Sequence, residues 1–266
     1  ADVPEDSPER AAMEERLQQT EVTQPAMMAV DFAMTLLLER MDLRPDFVTG
    51  HSLGEYGALV AAGVLRFEDS LEIVAARGRE MTGVSIEDPG RMFAAMADLE
   101  TTERLLKKVD GYLLPANKNS RKQTVVAGST GAVTKAMEVF EAEGVRTVPL
   151  RVSHAFHSKI VAGAIEPLRR VLARYDFSKP RVPVYGNVTG RAYPMDALKE
   201  HFIDMLGQQI ASPVEFIRCL EGMREAGAGF FVEVGPRRVL ASFAEDVLPG
   251  DVTVACSNNH RQGDLE

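Results

Sequence analysis

Apolar and polar positions divide the first ninety residues into clear elements. From Gln24 to Met41 the chain is mostly apolar (Ala26, Met27, Met28, Val30, Phe32, Ala33, Leu36, Leu37, Leu38), which predicts a long helix buried on several sides. The charged stretch before it, residues 1–20, reads as a surface helix or a frayed lead-in. Phe47-Val48-Thr49 reads as a short strand, and Glu55 to Ala62 as a helix. Another helix runs from Arg66-Phe67-Glu68-Asp69 to about Met81, its acidic residues in the first turn where the helix dipole favours them. Pro89-Gly90 then breaks the pattern.

Beyond residue 90 the runs shorten. Met92–Ala97, Tyr112–Ala116, Gln123–Ala127 and Val145–Val152 read as strands, and Thr101–Val109 and Ala132–Glu143 as helices. The order β-α-β-β-α-β is the split βαβ pattern of a small ferredoxin-like module. It occupies about 91–153 and is inserted into a larger domain made of 1–90 and 154–266. There a helix at Ser158–Tyr175, a strand at Val182–Val188, helices at Met195–Leu206 and Pro213–Ala226, a strand at Phe230–Val234, one more helix and a strand at Val252–Ala255 follow in turn. Strands alternating with helices predict an α/β fold, its sheet mostly parallel with helices on both faces.

Composition narrows the functional classes. The 266 residues suffice for a large and a small domain, and 45% hydrophobic with 26% charged residues is the balance of a soluble globular protein. No apolar run approaches the roughly 20 residues of a membrane span, and the acidic start Ala1-Asp2-Val3-Pro4-Glu5-Asp6 is no signal peptide. A net charge of −9 argues against a nucleic-acid partner, although local arginines can still hold an anion. The two cysteines, Cys219 and Cys256, lack metal spacing and suit a reducing cytoplasm. Histidines 51, 154, 157, 201 and 260 form no metal signature, so no metal site is expected.

The sharpest chemical signal is Gly50-His51-Ser52-Leu53-Gly54. A Gly-x-Ser-x-Gly pentapeptide between a strand and a helix is the setting of a nucleophile elbow. Its glycines permit a tight turn, and the turn puts Ser52 at a helix N-terminus, where free N–H groups stabilise a developing oxyanion. An activated serine needs a base within hydrogen-bond reach. Ser153-His154-Ala155-Phe156-His157-Ser158, between a strand and a helix, offers two histidines, and composition does not decide between them. Arg77, in Ala76-Arg77-Gly78, reads either as a charge complementing a helix C-terminus or as a fork for a substrate carboxylate.

These segments occur in a characteristic order with Thr23-Gln24-Pro25-Ala26, Gln123-Thr124-Val125-Val126-Ala127-Gly128, Asn187-Val188-Thr189-Gly190, Gln209-Ile210-Ala211-Ser212-Pro213-Val214 and Phe231-Val232-Glu233-Val234-Gly235-Pro236. From about Thr20 onward the chain resembles the acyltransferase family: malonyl-CoA:acyl-carrier-protein transacylases and the acyltransferase domains of polyketide and polyunsaturated-fatty-acid synthases. The resemblance implies an α/β-hydrolase-like large domain. It implies Ser52 as the acyl-carrying nucleophile, His157 as general base and acid, and Arg77 as the partner of the malonyl carboxylate. It also implies Gln123 in the acyl pocket, the Leu53 N–H as an oxyanion donor, and the Gln209 backbone carbonyl as the group that orients the histidine. Leu53 together with His-Ala-Phe-His is similar to the malonyl-selective pattern, Phe156 filling the space a methyl branch would need. No resident cofactor is implied. The substrates are malonyl-CoA and the phosphopantetheine of an acyl carrier protein, with neighbouring synthase domains as possible further partners.

One departure stands out. The family opens with a strand and a Gly-Gln-Gly loop that supplies a second oxyanion donor, and no such motif occurs in the sequence. The expectation is a missing first strand, with the donor absent or on another polypeptide. Excision from a larger synthase fits the polar tail Ser257-Asn258-Asn259-His260-Arg261. Two rival readings remain: a Gly-x-Ser-x-Gly hydrolase, and a catalytically silent synthase segment. The pairs Arg121-Lys122, Arg169-Arg170 and Arg237-Arg238 read as solvated charges or as contacts for CoA phosphates or an acidic carrier.

Overall fold

The computed structural model describes Pro4 and residues 7–258. Most of the charged start 1–6 and the tail from Asn259 lie outside the described residues. Helix α1 (Pro8–Leu17), capped by the Ser7 hydroxyl, buries no side chain and is the expected surface lead-in. Helix α2 (Thr20–Arg40) starts four residues before the apolar run. It is also less buried than that run predicts: only Gln24 and Met28 are fully covered, and Leu37 is 59% exposed. The face with Met27, Asp31, Thr35 and Leu38 borders a cleft, and Val30, Leu36 and Leu37 stay exposed.

Strand β1 (Val48–Thr49) leads through the elbow into α3 (Gly54–Ala61), and α4 (Phe67–Thr82) packs back along α2. Gly78 makes that approach possible, because a Cβ there would lie 2.7 Å from the Glu21 Cα. The close crossing delivers Gln24 of α2 to Arg77 of α4.

The middle of the chain forms β2 (Arg91–Ala95), α5 (Leu99–Leu106), β3 (Leu113–Ser120), β4 (Gln123–Gly128), α6 (Thr130–Ala142) and β5 (Thr147–Pro149). The four strands make one antiparallel sheet in the order β3-β4-β2-β5. One face, with Phe93, Ala95 and Val126, packs on Leu105 of α5 and Val133 and Phe140 of α6. The other, with Met92, Ala94, Val125 and Ala127, packs on Ala155, Phe156 and Ile160. Burial on both faces explains why β2 and β4 read as continuous apolar runs rather than alternating ones.

The remainder comprises a 3-10 helix (Lys159–Ala164), α7 (Ile165–Leu172), β6 (Val184–Gly186), β7 (Arg191–Ala192), α8 (Lys199–Gln209), α9 (Phe216–Glu225), β8 (Phe230–Glu233), α10 (Leu240–Val247) and β9 (Thr253–Cys256). Sequence predicts a single helix from Ser158 to Tyr175; the α-helix starts only at Ile165. Pro167 has no N–H to donate and fits only in a first turn. Strand β7 has no apolar pattern in the sequence; it returns antiparallel to β6 beyond the turn at Gly190, whose φ is +66°.

The parallel pairings β1–β6 and β8–β9 agree with the expected α/β class, but they belong to two separate sheets instead of one. Between β1 and β8 lies a mainly apolar cleft of about 750 Å³, bordered by Phe47, Phe216, Phe231, Leu240 and Asp31. The main core, with Tyr56, Leu59, Ile73, Leu168, Val184 and Phe202, sits among α3, α4, α7, α8 and β6. Each such large side chain contributes about 1.5–3 kcal/mol by leaving water. Strand β3 is stitched to this larger body: the Lys118 N–H donates to the Val214 carbonyl at 2.9 Å, and the Val214 N–H to that of Ala116 at 2.8 Å. Among the described residues no helix is long and apolar enough to cross a membrane.

Candidate active site

The elbow between β1 and α3 is too tight for any residue but glycine at position 50, where a Cβ would fall 2.0 Å from the Gly54 carbonyl. Ser52 adopts a left-handed backbone, φ +52°, at a cost of about 1–3 kcal/mol that its surroundings must offset. Asn187, just after the neighbouring strand β6, does so from both sides. Its Oδ1 accepts from the Ser52 N–H at 2.6 Å, and its Nδ2 donates to the Gly50 carbonyl at 2.7 Å. At the start of α3 the N–H groups of Gly54, Glu55 and Tyr56 donate to the His51, Ser52 and Leu53 carbonyls, which leaves the Leu53 N–H as the donor open to an anion.

The structure decides between the two histidines. His157 Nε2 lies 2.8 Å from Ser52 Oγ, whereas His154 is turned away, its Nε2 3.2 Å from the Val84 carbonyl. The other His157 nitrogen, Nδ1, lies 3.0 Å from the Gln209 carbonyl. A carbonyl only accepts, so Nδ1 carries the proton and Nε2 is left bare to take one from Ser52. Burial, then the positive Arg77 and then His51 push the His157 pKa down to about 3. The imidazole is therefore neutral near pH 7.

Arg77 is buried, at 2% exposure, and α4 continues past it to Thr82, so it does not serve as a charge at the helix end. Its Nη1 donates to Gln24 Oε1 at 2.9 Å; its Nη2 reaches Ser52 Oγ and Gln209 Oε1, both at 3.1 Å. The guanidinium lies 5.5 Å from the Tyr56 ring centre, and its Nε–H is buried with no hydrogen-bond partner among the described residues. This cation touches the serine oxygen and still has a donor to spare.

Gln209 does more than its backbone carbonyl suggests. Its Nε2 donates to the Ser52 carbonyl at 2.9 Å and to Glu55 Oε2 at 2.6 Å. Glu55 is wholly buried and also accepts from the Asn187 N–H at 3.1 Å and from the Tyr193 hydroxyl. Burial raises its pKa, against the pull of those donors and of Arg77.

The remaining sequence candidates stand around this cluster. Phe156 wedges between the main core and the inner face of the small sheet. Gln123 makes no hydrogen bond to Ser52, His157 or Arg77; its Oε1 accepts from Asn119 Nδ2 at 2.8 Å, and Asn119 Oδ1 lies 2.8 Å from His51 Nε2. Of the paired basic residues, Arg121 bridges to Glu221, Lys122 to Asp246, Arg169 to Glu166 and Asp204, and Arg238 to Glu245. Gln24 and Asn187 lie in the motifs quoted above and Glu55 directly follows the elbow pentapeptide, but the sequence assigns them no role. Asn119 and Tyr193 gave no signal.

The family model of the acyl transferase domain matches residues 7–260. The chain belongs to this family. It is 35% identical over 250 residues to the malonyl CoA-acyl carrier protein transacylase of Bacillus subtilis, covering 92% of this chain and 78% of that protein. It is 38% identical over 238 residues to the polyketide biosynthesis protein ThaF of Burkholderia thailandensis, covering 88% of this chain but only 20% of ThaF. Among solved structures, the malonyl-transacylase PlMCAT in complex with AntF, a type II polyketide-synthase acyl-carrier protein, superposes with a TM-score of 0.84 at 33% identity. That alignment covers 92% of this chain and 79% of the other. As an acyl transferase domain, the chain has the α/β-hydrolase-like core and small subdomain of its solved relatives.

Proposed function

We propose that the chain moves a malonyl group from coenzyme A, through an ester on Ser52, to the phosphopantetheine thiol of an acyl carrier protein in fatty-acid or polyketide biosynthesis. The observation that carries this reading is the buried Arg77 guanidinium, 3.1 Å from Ser52 Oγ with its Nε–H unpartnered among the described residues. A cation at the reacting atom suits an acyl group that ends in a carboxylate.

In this mechanism Ser52 Oγ attacks the thioester carbonyl carbon while His157 Nε2 takes its proton. The oxyanion is held at the N-terminus of α3 by the Leu53 N–H. The intermediate collapses, the C–S bond breaks, and His157 returns its proton to the CoA thiolate. The carrier thiol then gives a proton to His157 and attacks the malonyl-serine ester; the C–O bond breaks, and His157 returns the proton to Ser52 Oγ. Arg77 holds the free carboxylate throughout, and Phe156 crowds the α-carbon. The transacylase relatives and the carrier complex of PlMCAT support this choice of acyl group and acceptor. No resident cofactor takes part. A cytoplasmic location and neighbouring synthase domains belong to the same reading. Arg77 beside the serine weighs against plain ester hydrolysis, and the assembled Ser52–His157 pair against a silent segment.

The test is intact mass after mixing with malonyl-CoA, with Ser52→Ala alongside. One malonyl adduct, absent from the variant and discharged by a holo carrier protein, supports transfer. Free CoA without adduct or transfer refutes it in favour of hydrolysis.

A further inference from the structure

His157 is oriented by a carbonyl, and among the described residues no carboxylate hydrogen-bonds to it. When it accepts the serine proton, an imidazolium forms close to the buried Arg77 guanidinium, and two positive charges in one apolar pocket repel. The one wholly buried carboxylate in the hydrogen-bonded network is Glu55. Three donors converge on it, from Tyr193, Gln209 and Asn187, which is the surrounding of an ionised, acceptor-only carboxylate. The Gln209 amide can point only one way: Nε2 faces the Glu55 and Ser52 acceptors, and Oε1 faces the Arg77 donor. The same residue's backbone carbonyl faces His157 Nδ1. A single residue thus links Glu55 to the serine, the histidine and the arginine.

We propose that Glu55 is a positioning residue of the reaction: a third-member carboxylate set back by one residue, which acts through Gln209 to hold Arg77 and His157 and to offset the imidazolium formed on His157. This rests on the acyl-transfer reading. Among the described residues, the charged and titratable groups that face this pocket are Arg77 of α4, His51 and Ser52 of the elbow, Tyr56 of α3, Tyr193 just after β7 and Cys219 of α9, besides Glu55 and His157 themselves.

Glu55→Gln tests it. The amide has the same shape: its oxygen can accept from Gln209 and Asn187 while its NH2 donates to the Tyr193 oxygen, so the negative charge is removed and the scaffold kept. The rate of Ser52 labelling by a fluorophosphonate, followed by intact mass across pH, reads the serine–histidine pair without calling on malonyl transfer. The expected result is a rate about 10-fold lower at neutral pH, with the acid midpoint of the profile moved down, because the imidazolium has lost its counter-charge. An unchanged rate and midpoint in a folded Glu55→Gln protein overturns the proposal, whatever happens to its melting temperature. Tyr193→Phe is the second variant, for use if Glu55→Gln does not fold. It removes one donor and keeps the carboxylate, and should slow labelling at neutral pH with recovery as pH rises and Glu55 ionises; a wild-type profile overturns the proposal. If the wild type labels with fluorophosphonate but never transfers malonyl, the transfer reading fails and the Glu55 proposal is still scored.

Discussion

Ser52 and His157 meet at 2.8 Å, and both hold left-handed backbone conformations, φ +52° and +57°. Neither is a glycine, so both side chains are presented from turns that the chain adopts only because something else holds them. Asn187 braces the first, and a hydrogen bond from the His157 N–H to the Ile210 carbonyl at 2.9 Å braces the second. Strain on both partners is the geometry of a pair assembled for chemistry. His157→Ala should therefore slow acylation by malonyl-CoA about 10²–10⁴-fold while leaving the fold intact. Stopped-time intact mass measures it, and an unchanged rate would remove His157 from the mechanism.

Arg77 sets the acyl preference. Arg77→Ala should lower kcat/KM for malonyl-CoA by about 30- to 150-fold, equivalent to about 2–3 kcal/mol for a lost charge-assisted contact, while acetyl-CoA is used as well as before or better. The malonyl-to-acetyl ratio is the readout, since a general loss of folding would lower both together.

Because His157 is neutral far below the usual imidazole range, acylation should stay level as the pH drops through 6, where an ordinary histidine would already be half protonated or more. The same depression makes the fold acid-sensitive. The unfolded chain takes up the proton near 6.5 and the folded protein only near 3, so this histidine's share of stability is complete above about 6.5 and is lost as pH falls through that window. Thermal melts of wild type and His157→Ala between pH 7 and 4 should converge as the pH drops.

Asp31 carries the opposite sign. Its Oδ1 is buried with no partner among the described residues at the edge of the β1–β8 cleft, and desolvation, helped by Glu233, raises its pKa to about 6. The folded protein binds this proton more tightly than the unfolded chain, so ionised Asp31 destabilises the fold above pH 6 and ceases to do so towards pH 4. Asp31→Asn should raise stability at pH 7.5 by about 1 kcal/mol after allowance for solvent screening, with little gain at pH 4.5. Denaturant melts at the two pH values check it.

Phe156 is half-buried at the meeting of two cores, beside His157. Phe156→Ser should open room at the acyl α-carbon and improve methylmalonyl-CoA relative to malonyl-CoA by about 10-fold, within the 1–3 kcal/mol a methyl commands in a pocket. Competition between the two CoA esters, read by adduct mass, gives the ratio. Gln123→Ala, two hydrogen bonds from the serine's neighbour His51, should change that ratio far less.

Local pattern made much of this legible. The elbow, the split βαβ order of 91–153 and the helices α3, α4, α5 and α6 follow from periodicity and glycine placement, which act over a few residues. The motif order pointed to Ser52, His157, Arg77 and Gln209. The bracing was not legible. Glu55 looks like an ordinary first-turn acid on α3, and only the fold shows that Tyr193, 138 positions away, and Gln209, 154 away, converge on it. Gln24 meets Arg77 only because Gly78 lets two helices touch. Alternation of strands and helices predicts parallel pairing but not which strands end up side by side, so the division into separate sheets is not visible in it.

The small sheet presses its inner face on Ala155 and Phe156, while β3 is hydrogen-bonded to Val214, five residues past Gln209. The base segment and the stretch just past the orienting carbonyl are therefore held by the inserted sheet, and the serine elbow is tied to the same sheet through His51 and Asn119. For protein engineering, residues 91–153 do not form an interchangeable cassette. A graft from a relative would have to bring the 154–160 segment and the partner stretch around 214 with it, or the serine–histidine spacing would record the mismatch as lost activity in a chain that still folds.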